Sequence, residues 1–286
     1  FSDKQMLREF TTTKPALQEM LKGVLTLETK PQIHQNRTSL KHKSHTAYKT
    51  IAKWKNKKYS GNNSMMYRTA SHISILTLNV NGLNAPFKRY KMAKWIKNPL
   101  SMCCLQQTHL THKDSHKLKI KGWKKIFHAN GNQKWAGVAI FILDKTDFKA
   151  TTVKKDKQGH YIMIKGLVPK EKITIINIYE LNTGGPKSIK QLLPALRNEI
   201  DSNTIIVGDF NTPLTALDRS SIQKVKETMN LNYTLEQTDL TGIYRTFYPT
   251  TAEYKFFSSA HGTISKIEHM IGHKASLNKF KKIRFI

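Results

Sequence analysis

From Ser71 onward the chain consists of short apolar runs separated by turn signals. Runs rich in β-branched residues favour strands, and stretches with apolar residues at every third or fourth position favour helices. The predicted strands are Ile73–Val80, Met102–Gln106, Gly137–Leu143, Tyr161–Lys165, Ile173–Tyr179, Thr204–Gly208 and Tyr254–Ser258. The predicted helices are Arg89–Lys97, Lys187–Ile200, which is interrupted by Pro194, and Ser220–Met229.

The order of these elements is mixed. Some strands are joined by helices, whereas others are joined by turns such as those at Asn130-Gly131 and Gln158-Gly159. This order favours an α/β (α+β) fold over a single doubly wound sheet. We expect a four-layer sandwich of two packed mixed sheets flanked by helices.

A separate amphipathic pattern lies near the N-terminus. Pro15 suits the first turn of a helix, and apolar residues from Leu17 to Leu25 follow at helical spacing. The pattern predicts a helix that ends near Glu28. Because short helices depend on tertiary partners, this one is expected to be marginal by itself.

Charge separates this helix from the globular part. After Glu28 the next acidic residue is Asp114, and the 85 positions between them carry 16 Lys or Arg. Residues 30–70 also lack apolar periodicity, which is typical of disorder. We therefore predict a helical remnant over 1–29, a basic disordered linker over 30–70 and a globular domain over 71–286. The linker is either a solvated segment without a partner or a loose contact for nucleic acid, including RNA, with Trp54 and Tyr59 available for base stacking.

Composition excludes several classes of protein. Lys and Arg number 48 against 19 Asp and Glu, so the formal net charge is +29, and a polyanion such as DNA is the expected partner. The adjacent Cys103 and Cys104 cannot frame a disulfide scaffold or a zinc site. No apolar run approaches a membrane span of about 18 residues. We expect a monomer without membrane contact, located in the nucleus or cytoplasm.

The first candidate chemistry lies at the end of one predicted strand. Asp209 and Asn211 follow the run Thr204–Gly208 and point to the same side of the chain. Asp209 could orient or deprotonate a water molecule, and the Asn211 amide could donate to an oxyanion. The structural alternative is an Asx turn that closes the strand.

Two other strand ends offer polar groups. Asn79 and Asn81 end the first predicted strand of the domain, and Tyr179 ends another. If these groups converge with Asp209, they form a phosphate site on a rigid scaffold.

These motifs resemble those of the endonuclease/exonuclease/phosphatase superfamily, in the same chain order. They are most similar to the apurinic-type endonuclease domain of the second-open-reading-frame protein of LINE retrotransposons. The matching segments are Leu76–Leu83, Cys104–Leu110, Asn177–Tyr179, Gly208–Leu214, Ile243–Thr246 and Ser265–His269.

The N-terminal stretch resembles the end of the first-open-reading-frame RNA-binding protein of the same elements. Together with a spacer-like linker, this resemblance suggests a retrotransposon-derived or read-through product. Because the chain begins at Phe1, we expect a fragment.

The resemblance implies a Mg²⁺-dependent DNA endonuclease that hydrolyses a phosphodiester and leaves a 3′-hydroxyl. It places Asn79 and Asn81 in the metal and phosphate pocket, with Asn81 on the metal side. Tyr179 positions the phosphate, Asp209 activates the water, and Asn211 steadies the developing charge.

Three departures from the family pattern predict weak or lost activity. The metal carboxylate of the family is replaced by Gln107, so a weakened Mg²⁺ site is expected. The aspartate that orients the catalytic histidine is replaced by Glu268, which is one methylene longer. The histidine motif and a final strand are expected beyond Ile286, so the domain is predicted to be truncated at its C-terminus. His261, His269 and His273 are expected to be surface or core residues and not substitutes for that histidine.

The resemblance also implies DNA contacts at Asn182, Arg219 and Lys255. For Arg219 the alternative is an ion pair with Asp218. Three hypotheses remain for the whole chain: a Mg²⁺-dependent endonuclease, a catalytically inactive nucleic-acid-binding remnant on the same fold, and a translated pseudogene product without a selected role.

Overall fold

Two six-stranded mixed sheets form the centre of the fold. The computed structural model describes residues 24–28, 72–96, 100–131, 136–169, 171–181, 185–220, 226–252, 254, 256–258 and 263–284. The strands are β1 (Val24–Glu28), β2 (His72–Asn79), β3 (Met102–Gln106), β4 (Lys125–Ala129), β5 (Val138–Ile142), β6 (Lys149–Lys155), β7 (Tyr161–Val168), β8 (Glu171–Tyr179), β9 (Thr204–Asp209), β10 (Leu240–Gly242), β11 (Phe256–Ser258), β12 (Thr263–Ser265), β13 (Glu268–His273) and β14 (Phe280–Arg284).

The first sheet has the order β14-β1-β2-β3-β5-β4, and the second has the order β10-β13-β9-β8-β7-β6. Each sheet contains one parallel pair near its centre, β2 with β3 and β8 with β9. The neighbouring pairs are antiparallel. Strands β11 and β12 form a separate hairpin.

Alternating side chains divide the apolar residues into layers. Along β2, Ile73 and Ile75 pack between the two sheets, whereas Leu76 and Leu78 face the opposite side. The adjacent cysteines of β3 follow the same rule: Cys104 faces the other sheet and Cys103 the outer layer, and both are free thiols. Burial raises the pKa of both thiols.

Helices cover the outer faces of the sheets. Those on the outer faces are α1 (Pro86–Trp95), α2 (Gly185–Ala195) and α3 (Lys226–Gln237), whereas α4 (Ile243–Phe247) packs Ile243 and Tyr244 against the core between the sheets. Met92 of α1 packs on the first sheet, and Leu193 of α2 and Leu231 of α3 pack on the second. The predicted four-layer sandwich of two mixed sheets is therefore confirmed.

The predicted elements agree with the structure to different degrees. Strand β3 has the predicted bounds, and the other six predicted strands are present with shifted ends. Helix α3 covers Lys226–Gln237 and so contains the C-terminal part of the helix predicted over Ser220–Met229, whereas residues 221–225 lie outside the described residues. Strands β4, β6, β10, β12, β13 and β14 were not predicted, because their polar and apolar residues follow no clear period of two.

The prediction of an N-terminal helix that reaches Glu28 is wrong at the C-terminal end of that helix. Val24–Glu28 form β1, which pairs with both β2 and β14. Backbone pairing on two sides outweighs the weak helical preference of so short a segment. Residues 1–23 of the predicted helix and the predicted linker over 30–70 lie outside the described residues.

The length and polarity of the helices bear on membrane insertion. In the part of the chain that the structure describes, no helix is both long enough and apolar enough to cross a bilayer.

Candidate active site

Both parallel strand pairs end at the same edge of the sandwich, and the candidate residues gather there. Asn79 and Gln106 are register partners at the ends of β2 and β3. Tyr179 and Asp209 are register partners at the ends of β8 and β9. The carboxyl ends of parallel strands are a common position for ligand sites, so this edge is the candidate active site.

Asn79 and Asp209 join the two sheets directly. The Asn79 Nδ2 donates to Asp209 Oδ2 at 2.7 Å. The other Asp209 oxygen, Oδ1, accepts from the Asn211 backbone N–H at 3.0 Å. Asp209 is only 3% exposed. The Asx turn considered from the sequence is therefore present, and the same carboxylate also faces the opposite sheet.

Strand β2 ends in a similar turn. The Asn81 backbone N–H donates to Asn79 Oδ1 at 3.0 Å, and Asn81 has a φ of 43°. The Asn81 carbonyl accepts from Lys88 Nζ at 2.6 Å. Asn79 thus accepts from its own turn while it donates to Asp209, so its amide orientation is fixed by two contacts.

Gln107 and Tyr179 form a second bond between the sheets. The Gln107 Nε2 donates to the Tyr179 hydroxyl oxygen at 2.6 Å. Burial and the nearby Asp209 carboxylate raise the pKa of Tyr179 to about 12, although the Gln107 hydrogen bond opposes the shift. Tyr179 therefore keeps its proton at neutral pH, and its hydroxyl can act as a hydrogen-bond donor.

Unusual backbone angles cluster at this edge. Among the described non-glycine residues with positive φ, four follow the ends of β2, β3 or β9: Asn81, Gln107, His109 and Asn211. Such conformations cost free energy and are typical of functional sites. Gly208, with a φ of 149°, precedes Asp209.

Sequence reasoning missed the buried polar pair beneath the site. Gln106 Nε2 donates to Asn177 Oδ1 at 2.5 Å and to Thr77 Oγ1 at 2.9 Å. Asn177 Nδ2 donates to the carbonyls of Leu105 and Ala139. The signal was available, because Gln106 shares its face of β3 with Met102 and Cys104.

The side-chain amide of Asn211 is already hydrogen-bonded within the protein and so is not free to contact a ligand. Its Nδ2 donates to the Glu180 carbonyl, while its own backbone N–H bonds Asp209. Glu180, which was not a candidate, is 4% exposed, and burial raises its pKa. For Asn211 to contact a developing charge, its amide has to exchange this carbonyl for the ligand.

Glu268 lies beside Asp209. The two residues are register partners in the antiparallel pair β9–β13, so their side chains share the face between the sheets. Glu268 is 4% exposed. The structure thus brings Asn79, Tyr179, Asp209, Asn211 and Glu268 together with Gln107 at one edge.

The oxygen donors at this edge fit a Mg²⁺ ion only in part. Mg²⁺ prefers hard oxygen ligands that include carboxylates. Both Asp209 oxygens already accept hydrogen bonds, and Gln107 supplies a neutral amide. Within the described ranges, no cluster of three or more His, Cys, Asp or Glu side chains could hold a metal ion.

The predicted DNA-contact residues are less completely described. Arg219 forms an isolated β-bridge with Ser265, at the end of the β11–β12 hairpin. Asn182 and Lys255 lie outside the described residues. The ion pair considered for Arg219 is wrong, because Asp218 pairs with Arg245 instead.

A buried charged cluster stands behind this edge. Asp218 accepts from the Thr215 backbone N–H and hydroxyl, at 2.8 and 2.9 Å, and pairs with Arg245. His269 is 5% exposed, and its Nε2 donates to the Thr212 carbonyl at 2.8 Å. The His269 ring thus lies in the core, one of the two environments expected for it, and its expected lack of a catalytic role stays a prediction.

His269 should make folding sensitive to acid. Burial lowers its pKa to about 4, against the attraction of Asp218 and with the help of Lys266 and Arg245. In the unfolded chain this histidine has its ordinary pKa, so it binds a proton at higher pH than in the folded chain. The free energy of unfolding should therefore fall as pH drops from about 6.5 to 4, by up to about 1.4 kcal/mol per pH unit.

The test is the pH dependence of urea unfolding. His269→Gln should flatten the curve between pH 6.5 and 4, whereas the same change at the exposed His116 should not. Equal pH dependence in the parent and His269→Gln would rule out this role for the buried ring.

Solved structures of AP endonucleases and related enzymes share this fold. The crystal structure of the AP endonuclease LMAP from Leishmania major aligns with a TM-score of 0.58 and 16% identity, covering 71% of this chain and 80% of that one. A 3′ phosphatase, NExo, from Neisseria, bound to a product DNA hairpin, aligns with a TM-score of 0.56 and 21% identity, over 71% of this chain and 88% of that one. The endonuclease domain of TRAS1, a telomere-specific non-LTR retrotransposon, aligns with a TM-score of 0.54 and 12% identity, over 71% and 86%.

Sequence comparisons agree with the structural ones. A Xenopus laevis relative, the transposon TX1 uncharacterized 149 kDa protein, is 24% identical over 199 residues, which is 68% of this chain and 15% of the relative. This chain therefore spans a small part of that protein. Residues 1–23 match the L1 transposable element dsRBD-like domain, which confirms the resemblance noted at the N-terminus. Residues 76–278 match the model of the endonuclease/exonuclease/phosphatase family, and the chain belongs to that family.

Proposed function

We propose that this chain is a retrotransposon-derived Mg²⁺-dependent DNA endonuclease whose hydrolytic activity is weak or lost. The single observation that supports this function best is the hydrogen bond between Asn79 and Asp209, at 2.7 Å. It joins the two sheets at the edge where a phosphodiester would bind. The family match and the likeness to the TRAS1 endonuclease domain favour DNA as the substrate.

In this proposal Asp209 is the group that handles the attacking water. Its carboxylate is held by the Asn79 amide and by the Asn211 backbone N–H. Both contacts fix the direction of the carboxylate, so it could orient a water molecule beside it for attack on a bound phosphodiester. Orientation of this kind supplies much of the rate in hydrolytic sites.

Tyr179 is the proposed phosphate-positioning group. Its raised pKa keeps the phenol protonated, so it can donate to a non-bridging phosphate oxygen. Gln107 donates to the same hydroxyl oxygen, which leaves the Tyr179 proton free to point at the ligand.

The electrostatics explain the proposed loss of activity. A bound Mg²⁺ would neutralise the charge that develops on the phosphate, and it would lie near Asn81 and Gln107. The Gln107 amide provides an oxygen without charge, so the ion is held less tightly. Removing one electrostatic element of such a site typically costs ~10²–10³ in rate.

A catalytically inactive nucleic-acid-binding remnant is the second candidate. The observation that favours it is the net charge of +29, since phosphate contacts by Lys and Arg need no catalytic carboxylates. Arg219 beside the hairpin, and Asn182 and Lys255, are the proposed DNA contacts. The dsRBD-like match and the basic segment over 30–70 extend this proposal to RNA.

A plasmid-nicking assay separates the two candidates, because slow nicking by the parent supports the endonuclease and no nicking supports the inactive remnant. The full chain is incubated with supercoiled DNA and Mg²⁺, beside Asp209→Ala. We expect slow nicking or none by the parent, and any nicking should disappear in Asp209→Ala and in EDTA.

Two results would change the assignment. Nicking that persists at equal rate in Asp209→Ala would show that another nuclease or another group is responsible. Rapid nicking by the parent, abolished in Asp209→Ala, would contradict the proposed loss of activity.

Under both candidate functions, the affinity for duplex DNA should depend strongly on the salt concentration. Counterion release makes affinity fall by about 10³-fold or more between 50 and 200 mM salt when six or more phosphates are contacted. Fluorescence anisotropy with a labelled duplex measures this slope. An affinity that does not change with salt would count against DNA or RNA as the partner.

A further inference from the structure

Strand β1 occupies a slot between two strands that do not pair with each other. Its five residues pair with β2 over the whole length, from Val24 opposite Leu76 to Glu28 opposite His72. On its other side, four of them pair with β14. Without β1, the backbone groups of β2 and β14 on these sides would face an empty space one strand wide.

The walls of this slot are held by other parts of the fold. Strand β2 pairs in parallel with β3 over five residues, and its Ile73 and Ile75 are buried between the sheets. In β14, Phe280 and Ile283 are 6% and 1% exposed, and the Tyr248 hydroxyl bonds the Ile283 carbonyl at 3.5 Å. Each wall therefore has anchors that do not depend on β1.

The covalent connection to β1 is unusually long for a neighbouring antiparallel strand. Residues 29–71 separate β1 from β2, which is 43 residues, whereas an antiparallel pair can be joined by two. An extended chain of this length spans at most about 150 Å. The connection is long enough for β1 to reach the slot of another copy.

The local sequence of β1 does not require a strand. The spacing of Leu17, Met20, Leu21, Val24 and Leu25 is helical, yet the structure places Val24–Glu28 in the sheet. The pairing with β14 also shifts register between Thr26 and Leu27. The strand conformation is thus imposed by the slot and not by the segment itself.

We propose that the slot between β2 and β14 is a docking site for an extended strand, and that β1 is an exchangeable occupant supplied either by the same chain or by a second copy. Both arrangements form the same backbone hydrogen bonds, so the choice between them is set by concentration and by the connection. At low concentration the chain closes on its own slot. At high concentration two copies exchange β1 and form a strand-swapped dimer.

Cysteine pairs across the slot test this exchange in the full chain. Thr26 and Ser74 lie opposite each other in β1 and β2, so cysteines at both positions are within reach of a short bis-maleimide. The native Cys103 and Cys104 are fully buried with raised pKa values, so they should not react. One copy carries Thr26→Cys, and a second copy with a mass tag carries Ser74→Cys.

Mixing the two copies should yield a crosslinked heterodimer. A tenfold rise in total concentration should raise the dimer-to-monomer ratio about tenfold while dimers are scarce. The matched control replaces Ser74→Cys by Thr152→Cys, at an exposed position of β6 in the other sheet, and should give no dimer. A chain with both Thr26→Cys and Ser74→Cys, crosslinked before mixing, should stay monomeric.

Two outcomes would overturn the proposal. If the double variant crosslinks within one chain but the mixed single variants never form a heterodimer, β1 is a permanent part of its own sheet. If the double variant does not crosslink at all, β1 does not occupy the slot. Circular dichroism of each variant shows whether the fold is retained.

Discussion

Gly208→Ala should destabilise the protein by roughly 3–5 kcal/mol. A Cβ atom at this position would lie 1.9 Å from the Ile178 carbonyl oxygen, and the φ of 149° is one that L side chains rarely adopt. Ile178 is the register partner of Gly208 in the parallel pair β8–β9, so neither backbone can move without breaking the pair. Because a domain has only about 5–15 kcal/mol of stability, this loss should remove a large fraction of it and lower the denaturant midpoint clearly.

The matched control is Gly122→Ala. Gly122 has a φ of 87°, but a Cβ there would meet nothing within 4 Å. This variant should cost only about 1–2 kcal/mol. Guanidinium unfolding of both variants measures the difference, and equal losses would show that backbone angle alone, without the clash, decides the outcome.

Gln107→Glu should raise the affinity for Mg²⁺ by about tenfold or more, which corresponds to ~1.4 kcal/mol or more. The substitution keeps the shape of the side chain and would place a charged oxygen at the proposed Mg²⁺ ligand position. The present contact from Gln107 to the Tyr179 hydroxyl would reverse, with Tyr179 donating to the new carboxylate. The readout is the Mg²⁺ dependence of the melting temperature, with calorimetric titration as the direct measurement.

Asn84→Asp provides the control for charge alone. Asn84 is exposed, and its amide donates to the carbonyl of His109, which follows Gln107 by two residues. The variant adds the same single negative charge without adding a ligand at the site. If Asn84→Asp increases Mg²⁺ affinity as much as Gln107→Glu, the gain comes from general charge and the proposed role of position 107 fails. If neither variant responds, Mg²⁺ does not bind at this edge.

Much of the candidate site can be predicted from the alternation of inward-facing and outward-facing side chains along four strands. In β2 the inward face carries Ile73 and Ile75 and then reaches Asn79, and in β9 it carries Ile205 and Val207 and then reaches Asp209. This alternation, with two packed sheets, is enough to predict that polar side chains meet where the strands end. It does not predict which atoms bond across the gap, because those contacts join residues 130 positions apart, as in Asn79 and Asp209.

Some strands were not predicted from the sequence, and the reason is a different one. All seven residues of β6 are exposed, including its apolar Val153, so the strand has no buried apolar face. Such a strand is defined by pairing with β7 and not by burial. Strand β1 is the opposite case, since an apolar pattern was present but its local period indicated a helix.

Three side-chain pairs connect the sheets at the site edge: Asn79 with Asp209, Gln106 with Asn177, and Gln107 with Tyr179. In each pair the two partners belong to different sheets. These hydrogen bonds hold the two sheets together at this edge, and the distance between the sheets therefore sets the relative positions of the paired side chains. A core substitution that pushes the sheets apart elsewhere should separate Asp209 from Asn79, so the geometry of the candidate site should be sensitive to apolar residues that do not line it.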